Sequence, residues 1–159
     1  MPAQFIVPPD QIDVSHVVMG IEEIRKSIPH RFEMEMLSGI LRLDPANQIA
    51  IAYRDVRGDE FWCRGHIPGR PLMPGVLMVE AAAQLCTFYY KRAQEGADEK
   101  FLGFAGIDGV KFRATVVPGD KLILVVKNTR LRPRQAVFDC QGIVHDKLAF
   151  EAQITGMVV

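Results

Sequence analysis

Two ionisable side chains in this 159-residue chain stand in surroundings that suit chemistry better than solvent. His66 lies in Gly65-His66-Ile67-Pro68, and Glu80 lies in Leu77-Met-Val-Glu80-Ala-Ala-Ala-Gln84. A glutamate with so many apolar neighbours must find a partner or stay protonated, because burying a bare carboxylate is very costly. A protonated Glu80 suits a general acid at neutral pH, and a histidine is its complementary base. Gln84 follows one helical turn later, where its amide can orient the carboxyl group. Pro74-Gly75 opens the same helix. A helix start presents unpaired N–H groups at its positive end, so the amides of Gly75 and Val76 are candidates to polarise a carbonyl. Base, acid and carbonyl clamp together suit proton removal beside a carbonyl with loss of a β-hydroxyl. The carbonyl is the electron sink, so neither a metal nor an organic cofactor is expected. Residue types alone leave a plainer reading open, in which the histidine is a structural hydrogen bonder and the glutamate a pairing residue.

The elements that must position these groups follow from punctuation and period. Residues 58–75 hold four glycines and three prolines, which exclude regular structure over much of the segment. A loop this long in a small domain is usually functional. A helix is expected over 76–92, apolar nearly all round and so buried on every side, with Lys91 and Arg92 at its negative end. A short helix over 20–27 has its acids early and its bases late, and Pro29 ends it. Strand-compatible runs cover 34–43, 48–56, 101–114, 122–129, 136–144 and 148–158, with turns at 45–47, 118–120 and 146–147. The glycines at 103, 106 and 109 suit bends or bulges in a curved strand. The fold class expected is α+β, a largely antiparallel sheet of five or six strands wrapped around one long helix. Residues 1–18 are expected to form an extended arm, and residues 19–159 a single domain.

Composition narrows the function classes. With 48% hydrophobic and 24% charged residues the chain falls in the globular range. Nineteen basic residues balance nineteen acidic ones, which argues against a dedicated nucleic-acid binder. Three scattered cysteines cannot build a disulfide framework and suggest a reducing compartment. The longest apolar stretch, 76–90, is broken by Glu80 and Gln84 and falls short of the ~20 residues a membrane span needs. The N-terminus lacks signal-peptide features, so a soluble cytoplasmic protein is expected. Cys63 and His66 lack a second ligand pair, so no metal site is expected. His30 is expected to be structural, as a helix C-cap contact, with a catalytic role as the lesser alternative, and His16 and His145 are expected to lie on the surface.

The run Gly65-His-Ile-Pro-Gly-Arg-Pro-Leu-Met-Pro-Gly-Val-Leu-Met-Val-Glu-Ala-Ala-Ala-Gln84 resembles the signature of the β-hydroxyacyl-acyl-carrier-protein dehydratases. Ile21-Glu-Glu-Ile-Arg-Lys-Ser-Ile-Pro-His-Arg-Phe32 is similar to that family's N-terminal block. Phe104-Ala-Gly-Ile-Asp-Gly-Val-Lys-Phe-Arg113 with Val117-Pro-Gly-Asp120 resembles its third. The resemblance implies a hotdog fold, dimers or trimers of dimers, and active sites at the dimer interface. It implies that His66 removes the α-proton of a 3-hydroxyacyl thioester and that Glu80 of the partner subunit protonates the departing hydroxyl. The Gly75 N–H would hold the thioester carbonyl, and Gln84 would orient Glu80. The related dehydratase/isomerase branch carries aspartate where this chain has Glu80, so the implied reaction is dehydration without isomerisation. Ile67 stands where the family usually has phenylalanine, and Gly103 where a tunnel-gating tyrosine is common. The implied partner is acyl carrier protein. Arg130, Arg132 and Arg134 are expected to form a solvated charged link between two strands at 130–134, with a docking patch shared with Lys111 and Arg113 as the weaker reading. A hotdog thioesterase and a non-catalytic acyl-binding or assembly subunit are the competing functions.

Overall fold

Apolar residues at every second position build the strands of a single antiparallel sheet. The computed structural model describes residues 4–159. In it β1 (Gly39–Asp44), β2 (Ile49–Asp55), β3 (Leu102–Phe112), β4 (Lys121–Arg132), β5 (Gln135–Val144) and β6 (Lys147–Val158) pair in the order β1-β2-β4-β5-β6-β3. Helix α1 spans Ile21–Ser27, and the long helix α2 spans Gly75–Ala93. The concave face of the sheet wraps α2, whose Met78, Val79, Leu85, Phe88 and Tyr89 are buried in one core with Leu124, Val126 and Phe138. No helix among the described residues is long and apolar enough to cross a membrane.

The α+β arrangement and the helix boundaries match the sequence-based expectation to within a residue or two. Three details differ. Strand β1 begins at Gly39 rather than near residue 34, because Phe32–Met34 forms a 3-10 turn. Phe32 there takes a left-handed φ of 58°. The charged link expected at 130–134 is mostly strand: Arg130 pairs with Val137 and Arg132 with Gln135, leaving only Pro133-Arg134 as the turn. The last hairpin turns at His145-Asp146 rather than 146–147. Both residues have positive φ, the backbone twist a two-residue hairpin favours.

Residues 4–18 of the expected N-terminal arm pack on the sheet, and residues 1–3 lie outside those described. Val7 and Ile12 pack on the convex face of the sheet against Leu41, Ile51, Val125 and Ile143. The Ile6 N–H donates to Gln141 Oε1 at 2.8 Å, and Gln141 Nε2 donates to the Gln4 carbonyl at 2.8 Å. Strand β3 is an edge, and it exposes Phe104, Ile107, Val110 and Phe112.

Candidate active site

Helix α2 is not covered on all sides, contrary to the expectation from its apolar sequence. Val76 in the first turn is 72% exposed, and the face carrying Glu80 and Ala83 opens on a cavity of about 240 Å³. Residues from α2, the segment before the 3-10 turn at 32–34 and the start of β3 wall this cavity: Glu80, Gln84, Thr87, His30, Phe101 and Gly103 are among them. The Glu80 side chain is about one-fifth exposed, at 22%.

Gln84 does what its spacing implied, and more. Its Nε2 donates to Glu80 Oε1 at 2.9 Å and to the Met34 carbonyl at 2.7 Å. Its own Oε1 accepts the Met36 N–H at 3.1 Å. A carbonyl can only accept and an amide N–H can only donate, so these two backbone groups fix which end of the Gln84 amide faces Glu80. Glu80 Oε1 therefore receives a donor, leaving Oε2 as the oxygen free to carry a proton. The loop bearing Met34 and Met36 is itself pinned, since Arg25 pairs with Glu35 through Nε at 2.7 Å and Nη2 at 3.0 Å. That guanidinium holds the Glu35 carboxyl below the usual carboxylate range.

His66 lies in the long loop, exposed, with its backbone N–H on the Trp62 carbonyl at 2.8 Å. Its Nδ1 is 2.7 Å from the Leu72 carbonyl. Only a donor can satisfy that carbonyl, so Nδ1 carries a hydrogen, and in the neutral ring Nε2 presents the lone pair that a general base needs. Ile67 and Gly69, both at positive φ, turn the chain just beyond it.

The helix start is built as the sequence suggested, with one addition. The amides of Leu77 and Met78 turn back to the Pro74 carbonyl at 2.9 and 3.3 Å, which leaves those of Gly75 and Val76 at the mouth of the helix. The Phe112 ring from β3 stands against Gly75 so closely that a Cβ there would lie 2.7 Å from it. Glycine here makes room for a half-exposed neighbouring ring, a contact that sequence alone did not reveal.

Within one chain the base and the acid are not brought together, since His66 does not line the cavity that Glu80 faces. The arginines and lysine of the candidate docking patch are also divided. Lys111 and Arg113 lie at the Phe112 end of β3, where Arg113 pairs with Glu151 at 3.1 Å. Arg130, Arg132 and Arg134 lie by the β4–β5 hairpin, near the opposite end of β3, since Gln135 and Gly103 both oppose Met157.

His30 is the residue that sequence reasoning misplaced. It is not the cap of α1: Arg31 covers that end, donating to the Ile28 and Arg25 carbonyls at 2.9 and 3.0 Å. His30 instead faces the cavity, with Nε2 3.7 Å from Glu80 Oε1. Its place in the Pro29-His30-Arg31 block was the available signal. His145, expected to be a plain surface residue, is exposed but lies 2.7 Å from Asp120 Oδ1.

Known proteins match this chain along most of its length. The FabA-like domain family matches residues 28–153. The 3-hydroxyacyl-acyl-carrier-protein dehydratase FabZ of Dichelobacter nodosus is 39% identical over 144 residues, covering 86% of this chain and 94% of the relative. The corresponding FabZ of Desulfotalea psychrophila is 33% identical over 150 residues, covering 94% and 95%. Among solved structures, the dehydratase heterocomplex ApeI:P from Xenorhabdus doucetiae is similar with a TM-score of 0.72 at 12% identity, covering 86% of this chain and 90% of that one. A mutant thioesterase, PA1618 from Pseudomonas aeruginosa, is similar with a TM-score of 0.66 at 16% identity, covering 89% and 95%. The fold is the hotdog fold that the sequence motifs implied.

Proposed function

The chain belongs to the FabA-like domain family, and on that footing we propose that it is a hydro-lyase of fatty-acid synthesis, dehydrating 3-hydroxyacyl thioesters on acyl carrier protein to 2-enoyl thioesters. His66 Nε2 takes the proton from the carbon beside the thioester carbonyl. The electron pair moves through the carbonyl, and the Gly75 and Val76 amides stabilise the developing oxyanion. The carbon–oxygen bond at the β-position breaks, and the hydroxyl leaves with the Glu80 proton as water. Gln84 holds Glu80 in place through the step. The observation that carries this reading is the matched preparation of the pair: the Leu72 carbonyl leaves Nε2 of His66 bare, and Gln84 leaves Oε2 of Glu80 free.

Separation of the two groups within one chain favours a site shared between two copies. Edge strand β3 exposes four large apolar side chains and a row of unpaired backbone groups, a surface that calls for a cover. A second copy adding its own β3 in antiparallel register would form a two-fold interface. The Phe112 end of one strand, beside Gly75, would then meet the Gly103 end of the other, beside the Glu80 cavity. His66 would face Glu80 of the partner subunit. The same pairing brings Lys111 and Arg113 towards the partner's β4–β5 hairpin, making a basic surface for an acidic carrier protein. A dimer is the minimum assembly on this reading, and a trimer of dimers is compatible with it. Residues 19–159 are the catalytic unit. The cysteines are not all scattered as the sequence suggested, since the sulfurs of Cys86 and Cys140 lie 3.6 Å apart across 54 positions; as free thiols they favour a reducing compartment such as the cytoplasm.

Purified protein incubated with a crotonyl thioester of carrier protein or pantetheine tests the assignment. Loss of enoyl absorbance without release of free thiol is the expected result, since hydration is the reverse of dehydration. Thiol release would identify a thioesterase instead, and no change in either signal would identify a binding subunit.

A further inference from the structure

We propose that His30 is a positioning residue for the acid, a neutral imidazole that carries its proton on Nε2 and donates it to Oε1 of Glu80. The proposal rests on the dehydratase reading and adds a residue to its machinery.

Three observations lead there. His30 and Glu80 line the same cavity, with Nε2 3.7 Å from Oε1 and side chains 20% and 22% exposed. Nδ1 of His30 is buried and has no hydrogen-bond partner among the described residues. Gln84 already donates to the same oxygen of Glu80.

The buried Nδ1 decides the protonation of the ring. An imidazolium would leave a charged N–H there without an acceptor, and the Nδ1–H tautomer would leave a neutral one. Orphaned buried N–H groups are rarer than orphaned acceptors. The least costly form keeps Nδ1 bare and places the hydrogen on Nε2, towards Glu80. The charged and titratable groups facing the ring agree with an uncharged imidazole. Burial acts most strongly and holds His30 below its usual range; Glu80 from α2 opposes this, and Arg31 on its own segment reinforces it. The remaining titratable group on the cavity wall is the Cys86 thiol, and the Phe101 ring lies 6.3 Å away.

With two donors on Oε1, the oxygen left to hold the transferable proton in the acid form is Oε2. A 3.7 Å separation is long for a hydrogen bond, but catalytic hydrogen bonds often tighten only when substrate is bound. Without His30 the carboxyl group keeps the Gln84 donor alone and is freer to rotate its proton away from the leaving hydroxyl.

The test is in two parts. Nitrogen-15 NMR of the four histidines at neutral pH, with His30 assigned by its loss in His30→Gln, should show a neutral Nε2–H tautomer. An Nδ1–H tautomer or an imidazolium overturns the proposal. In the enoyl hydration assay, His30→Leu should lower kcat by about ten-fold or more with KM within about two-fold, and His30→Gln should recover most of the loss by restoring a donor. Wild-type kcat in His30→Leu, or a folded His30→Gln as slow as His30→Leu, also overturns it. A wild-type protein without hydration activity would instead remove the dehydratase reading, while the NMR result would still judge where the His30 proton sits.

Discussion

The carbonyl of Leu72 and Nδ1 of His66 are 2.7 Å apart, six residues of one loop folded so that the backbone sets the ring's tautomer. A base prepared in this way needs an acid from elsewhere, and within the chain His66 does not line the cavity that Glu80 faces. His66→Ala and Glu80→Gln should each lower turnover at least ~100-fold, the scale expected for a positioned base or acid. Mixing the two variants under conditions that exchange subunits should return about a quarter of wild-type activity, because half the dimers would hold one intact site of two. An inert mixture whose mass analysis shows mixed dimers would place each site within one subunit.

Gln84 ties three parts of the protein together, so its loss should be felt in stability as well as rate. Gln84→Leu keeps the volume roughly but leaves the Met36 N–H and Met34 carbonyl without their partner. Each buried polar group left unsatisfied costs about 1–3 kcal/mol. Denaturant unfolding should show a clear loss, and kcat should fall in the fraction that remains folded. Unchanged stability would mean that water replaces the amide without cost.

Gly75→Ala addresses the ring that presses on the helix start. A Cβ at 2.7 Å from Phe112 forces the half-exposed ring to move, so the cost should fall at the low end of overpacking, about 1 kcal/mol. Truncating the ring in the double variant Gly75→Ala/Phe112→Ala should remove that penalty, which a double-mutant cycle on thermal unfolding measures. Additive effects would show that the ring does not exclude a side chain there.

The pH dependence of stability should carry the mark of His30. Burial holds its imidazole below the ordinary value of 6.5, so the unfolded chain binds this proton more readily than the folded protein. The contribution is present above about pH 6.5 and is lost as the pH falls below that towards the folded value. Melting temperature followed from pH 8 down to 5 should drop less in His30→Gln than in the wild type. Glu35 acts in a separate, more acidic window: its Arg25-paired carboxylate stabilises above the ordinary 4.5 and ceases to do so as the pH falls below it. Identical profiles for His30→Gln and wild type above pH 5 would contradict the assignment for His30.

Local chemistry made much of this legible in the sequence. Glycine and proline spacing marked the His66 loop, the turn of spacing from Glu80 to Gln84 implied their bond, and period-two runs marked the strands. What the sequence concealed depends on distant segments. Phe112 and Gly75 are 37 positions apart, and nothing near either shows that they touch. His30 and Glu80 likewise meet only because the loop after α1 folds over α2. The arm had a readable signal that was passed over. Ile49-Ala-Ile-Ala and Leu122-Ile-Leu-Val-Val are apolar on both faces of their strands, which requires a cover on the convex side as well as the concave one.

Gly103 presents bare backbone to the wall of the Glu80 cavity, and a Cβ there would crowd the Val159 side chain, at 3.1 Å. Val159 does not line the cavity, so a side chain at 103 would project away from the space that Glu80 faces. The reach of that space is left to residues that do border it, Phe101 and Ile154 among them.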